Sequence, residues 1–100
     1  RGTKMLKYKA LYKKMMDDLK DSGMWIEWAS KLEKDDPEVS KFLYASAKER
    51  LTSNFEQTKQ LFDKLCTSDT KNEKYCLKEL VEEDLCEWHE QLMQKLKMKS

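Results

Sequence analysis

β-Branched aliphatic residues are almost missing from this chain: Val39, Val81 and Ile26 are the only three among 100 residues. Strands draw on such side chains because they pack well on a pleated surface, so a β-sheet is excluded. Glycine occurs twice and proline once, which leaves little to punctuate turns and favours long uninterrupted helices. A lone histidine, with no Ser-His-Asp-like set and no Gly-rich phosphate cradle, gives hydrolase or nucleotide chemistry little to stand on. An excess of one charge is missing too. Twenty Lys and Arg face 19 Asp and Glu, for a net charge of +1. The two signs alternate along most of the chain, whereas a nucleic-acid binder gathers basic residues on one face. No nucleic-acid partner is expected. No apolar run approaches the ~20 residues of a membrane span, so no membrane partner is expected either. The chain opens Arg1-Gly2 without methionine, which leaves a removed targeting segment open. Cys66, Cys76 and Cys86 are odd in number and scattered, unlike a secreted disulfide framework, and a reducing, cytoplasmic interior is expected.

What is present is helical material for one domain, residues 1–100. Thirty-nine per cent of the residues are hydrophobic and an equal share are charged, with ten aromatics and six methionines supplementing a leucine-based core. Two places break the pattern. At Asp35-Asp36-Pro37-Glu38, Asp36 can cap a helix whose first position takes Pro37 and whose positive end faces Glu38. At Thr67-Ser68-Asp69-Thr70, Thr70 and Glu73 have capping-box spacing. These breaks predict three helices over about 4–34, 37–66 and 71–98. Apolar residues step by threes and fours along each: Met5, Tyr8, Tyr12, Met15, Leu19, Ile26 and Ala29, passing Ser22, in the first. Val39, Phe42, Leu43, Ala47, Leu51, Phe55, Phe62 and Leu65 form the second stripe, with Asn54 and Thr58 on it. Leu77, Leu80, Val81, Leu85, Trp88, Leu92 and Leu96 form the third. Asp21-Ser22-Gly23 reads as continuous helix rather than loop. Short connections make the helices antiparallel, giving an all-α up-down-up bundle.

Several residues carry potential chemistry. Cys86 and His89 stand at i, i+3 on one helix face, a spacing that suits zinc chelation or activation of the thiol. Two further ligands would have to come from Asp84, Glu82 or a facing helix, and a small buried cysteine beside an edge histidine is the preferred reading. Cys66 and Cys76 flank the second break and are read as reduced thiols, with a disulfide as the alternative. Lys95, Lys97 and Lys99 answer the negative end of the last helix dipole. Met24, Trp25 and Trp28 are the richest contact material in the chain. They suit a core or an interaction surface equally well by type, but together with Tyr8, Leu11, Tyr12, Met15, Met16 and Leu19 they make the first helix apolar over more than one seam. A second copy of the chain is the simplest cover, and a homodimer is expected.

The stretch from Asp17 to Leu65 has a rhythm of its own: Asp17-Asp18-Leu19, Trp25-Ile26-Glu27-Trp28-Ala29, the Asp36-Pro37-Glu38-Val39 break, then Phe42-Leu43-Tyr44-Ala45-Ser46-Ala47-Lys48-Glu49-Arg50. It resembles the first helical hairpin of ferritin-like proteins of the rubrerythrin type. The resemblance implies a first-helix carboxylate ligand near Asp18, but it places the Glu-x-x-His of the second helix at Arg50 and Ser53, neither of which ligates iron. It thus implies a fold relative without the metal. Two functions are therefore expected in order. The first is a non-catalytic helical interaction or structural module with no cofactor and an unidentified protein partner. The second is a ferritin-like metal or redox protein drawing on Asp18, Asp84, Cys86 and His89.

Overall fold

The computed structural model describes residues 2–68 and 81–99, with side chains over 6–65 and 81–99. The first helix, α1, runs unbroken over Gly2–Leu32. The second arm comprises α2 (Pro37–Glu49), a π-helical turn over Arg50–Asn54 and α3 (Phe55–Ser68). The third comprises a π-helical turn over Val81–Leu85 followed by α4 (Cys86–Lys99). Among the described residues there is no strand, and the molecule is an all-α bundle of three long helical arms, 52 Å in its longest dimension.

The first break forms as its residues dictate. The Asp36 N–H bonds the Leu32 carbonyl at 2.8 Å and closes α1, while the Asp36 carboxylate accepts the Val39 N–H at 3.3 Å. Pro37 occupies the first turn, where its missing N–H costs nothing, and Glu38 lies in the same turn. The second arm reaches Ser68, two residues beyond the expected end. The Thr70–Glu73 capping box, the expected start at 71, and Leu77, Leu80 and Cys76 lie outside the described residues, as does the Cys66 side chain.

The core is a single cluster: Tyr8, Met15, Leu19 and Ile26 from α1, Ala47, Leu51, Phe55 and Phe62 from the second arm, and Val81, Leu85, Leu92 and Leu96 from the third. Tyr8 meets Phe62 edge-on with centroids 5.4 Å apart. Its hydroxyl donates to the Leu65 carbonyl at 2.8 Å, so the phenol is satisfied while its ring is buried.

The second stripe needs correction at its start. Val39 and Phe42 are exposed, and Ser40 is buried in their place, its hydroxyl donating to the Ala29 carbonyl at 2.7 Å. Ser40 stands seven residues before the buried Ala47, two turns of α-helix, and so shares its face, which Val39 and Phe42 do not. The inward residues Ala47, Leu51 and Phe55 succeed one another by four and four, a step that drifts by about 40° each time in a regular α-helix. An extra residue in the turn restores the facing. Downstream of it Thr58 is buried, donating to the Asn54 carbonyl at 3.0 Å, while Asn54 itself is exposed.

Candidate functional site

Asp18 lies on the buried stripe of α1 and its carboxylate is shut off from solvent. A lone buried carboxylate is costly unless paired and hydrogen-bonded. Arg50 Nε donates to Asp18 Oδ1 at 2.7 Å, and Lys14 Nζ donates to the two oxygens at 2.9 and 3.0 Å. The other end of the guanidinium meets Asp21 through Nη2 at 3.0 Å, and its central carbon, Cζ, lies over the Trp25 ring, 5.3 Å from the ring centre. One arginine, placed at the start of the π turn, thus joins two carboxylates and an indole across the α1–α2 hairpin. The position to which the ferritin-like resemblance carries the first-helix carboxylate, and the position where its second-helix glutamate would stand, are neighbours here. They form an ion pair.

A second cluster surrounds His89 on α4. Its Nε2 lies 2.9 Å from the Leu51 carbonyl. A carbonyl only accepts, so Nε2 carries the proton. The π turn explains why that carbonyl is available. The Phe55 N–H bonds Arg50, five residues back, and once four-residue spacing resumes in α3 the carbonyl passed over is that of Leu51. The imidazole stacks on Phe55 with centroids 4.4 Å apart and planes 17° apart. Cys86 and His89 do come together: both line a cavity of about 300 Å3 with Phe55, Glu56, Lys59 and Asp63. Burial pushes the half-buried Cys86 thiol up from its ordinary value. Glu82 and Asp63 add to the rise, and Lys59 offsets part of it. A thiol raised in this way is a weaker nucleophile and a weaker metal ligand at neutral pH.

The remaining members of the expected ligand set are placed elsewhere. Asp84 is exposed on the second π turn, and Asp18 is engaged by Arg50 and Lys14. Among the described residues no three His, Cys, Asp or Glu side chains gather as a metal would require. No described helix is long and apolar enough to cross a membrane.

The aromatic cluster divides. Trp25 is half-buried, packed on the core and lying over Arg50. Met24 and Trp28 remain 42% and 47% exposed. Val39 and Phe42 on the neighbouring helix are also exposed, at 41% and 69%. The Ser40–Ala29 hydrogen bond sets the level at which the two helices meet. The sequence stripe had assigned Val39 and Phe42 to the core, so they were missed as surface. The buried Ser40 between them was the available signal, because a serine has little reason to stay out of the core once its hydroxyl finds a carbonyl.

Comparison with protein-family models, with curated proteins and with solved structures gives no match.

Proposed function

We propose that this chain is a non-catalytic helical interaction module that pairs with a second copy of itself, and with a protein partner, through the Met24–Trp25–Trp28 face. The observation carrying this reading is the exposure of Met24 and Trp28 on one side of α1, with Val39 and Phe42 exposed on the adjoining helix. At ~25 cal/mol per Å2, covering such a surface is worth on the order of several kcal/mol per copy. Trp and Met also belong to the residue types that concentrate contact energy or adapt to a partner's shape. Trp25 acts as the anchor, since its stacking with Arg50 fixes the ring before any partner arrives. No cofactor enters this reading. A reducing, cytoplasmic setting suits it, with Cys86 as a thiol.

Light scattering at concentrations on the order of tens of micromolar, an ordinary range for weak dimers, tests the proposal. The unmutated protein is expected near twice the 12.0 kDa chain mass and Trp28→Glu near the single mass. Trp28 is the residue to change because Trp25→Ala would also disturb Arg50. A single-chain mass for the unmutated protein overturns the proposal.

A further inference from the structure

One line of α1 stays outside the bundle. The exposed Met24 and Trp28 mark its centre. At about 100° of rotation per residue, five charged positions fall within about 40° of the same line: Lys13, Asp17 and Lys20 before the centre, Lys31 and Asp35 after it. Asp35 belongs with them because the Asp36 N–H still bonds the Leu32 carbonyl, four residues back, so the winding continues just past the end of α1. Four of the five are exposed, and Asp17 keeps 44% of its side chain in solvent. The order of charges along this line is self-complementary under reversal about Met24. Positions seven residues before and after Met24 are Asp17 and Lys31, and positions eleven before and after are Lys13 and Asp35. Positions four before and after are Lys20 and Trp28.

From this symmetry we infer that two copies of the chain pair antiparallel, α1 against α1, about a two-fold axis at Met24. The inference rests on the reading of the Met24–Trp28 face as a dimer surface and adds the arrangement of the two copies on it. An antiparallel pair centred there sets Asp17 against Lys31 of the second copy and Lys13 against its Asp35, and the two-fold axis repeats each contact. A parallel pair in register sets every one of these charges against its own like, which opposes it. Within the chain, Lys13 already holds Asp17 at 3.2 Å and Lys31 holds Glu27 at 3.4 Å. Neither pair has to break. An ammonium has three donors and a carboxylate can accept several, so Asp17 receives Lys31 of the second copy beside its own Lys13, and Lys13 adds Asp35 of the second copy. Lys20 and Asp35 are in no ion pair of their own among the described residues. At the centre the Lys20 stem lies along the second copy's Trp28, with its ammonium against the indole face. The result is an apolar middle of Met24 and two indoles, ringed by charge pairs over ~33 Å of helix, the layout of a protein interface.

The test uses the full chain and two kinds of variant. Asp17→Lys and Lys31→Asp each turn both symmetry-related contacts into like-charge contacts. Sedimentation is expected to show each single variant dimerising about tenfold more weakly than the parent, with the loss shrinking as salt rises. The double variant Asp17→Lys, Lys31→Asp restores opposite charges between the copies and is expected to return to within about threefold of the parent. Its recovery cannot come from inside the chain, because the swap sets like charges against Lys13 and Glu27 there. Helical circular dichroism is expected to stay unchanged throughout, since both positions reach solvent. Met24→Cys is expected, on oxidation with diamide, to give a covalent dimer in which peptide mapping finds residue 24 joined to residue 24. Lys31→Cys is expected to give no link between the two copies of residue 31, which stand ~21 Å apart along the antiparallel pair. A single-chain mass for the parent overturns the inference together with the dimer reading beneath it. A doubled mass that Trp28→Glu abolishes, without the 24-to-24 link and without recovery in the double variant, keeps the face as a dimer surface and overturns the antiparallel arrangement alone.

Discussion

Arg50 is the residue on which the hairpin depends most. Among the described residues it is the only group that reaches both Asp18 and Asp21, and it does so from the opposite helix. Removing one partner of a buried pair leaves the other desolvated without compensation, which costs about 3–5 kcal/mol. Lys14 stays on Asp18 at 2.9 Å and is itself about half exposed, so the loss in Arg50→Ala is expected at the lower end, about 3 kcal/mol. Replacing both partners, as Asp18→Leu with Arg50→Met, removes the buried charge as well as the cation and is expected to restore most of that stability. Urea unfolding of the two single variants and the double variant supplies the coupling. A double variant no more stable than Arg50→Ala would mean that the arginine acts through its packing on Trp25 rather than through its charge.

At the scale of helices, the apolar period and the Asp36–Pro37–Glu38 signal were sufficient to read three arms and the first break, because each depends on contacts within a few residues. The π turns were not legible in that way. A π turn leaves no local residue signature, and its only trace is the four-and-four succession of Ala47, Leu51 and Phe55, which looks like ordinary helical scatter. The His89–Leu51 contact depends on that turn and was hidden with it. The Asp18–Arg50 pair was half visible: the ferritin-like alignment put a guanidinium where a carboxylate was needed, but only the fold shows that Asp18 is what it meets. Gly23 is the opposite case, a glycine through which the sequence predicts continuous helix and through which α1 does run unbroken. The helix passes through it without a positive φ, and a Cβ built there would stand 3.7 Å from Leu92 Cδ2, an ordinary contact. Gly23→Ala should therefore raise stability by about 0.5–1 kcal/mol through helix propensity and the reduced freedom of the unfolded chain. Thermal unfolding checks this, and a lowered midpoint would show that α1 and α4 sit closer than the contact implies.

Across the whole molecule, three arms are tied at one end by a single carboxylate. Glu33, in the turn after α1, accepts from the Tyr44 hydroxyl on α2 and from Lys99 at the end of α4. The Tyr44 hydroxyl, followed by Lys99, holds the Glu33 carboxyl below its ordinary range. Glu33 in turn holds the Lys99 ammonium above its own. Burial, with Glu33 adding to it, raises Tyr44. The signs set the pH window. A carboxylate lowered on folding stabilises above its unfolded pKa of about 4.3 and loses that contribution as pH falls through the folded value. An ammonium or phenol raised on folding stabilises below its unfolded pKa, about 10 for both, and loses it as pH rises through the folded value. The tie should therefore be intact across neutral pH and released at both extremes. Glu33→Gln is expected to lower the unfolding midpoint relative to the parent by a constant amount between about pH 5 and 9, with the two curves converging below about pH 4 and above about pH 10.5. Salt should narrow the gap as well, because Glu33 and Lys99 are open to solvent. A gap that persists unchanged in strong acid would show that Glu33 joins the arms by its hydrogen-bond geometry and not by its charge.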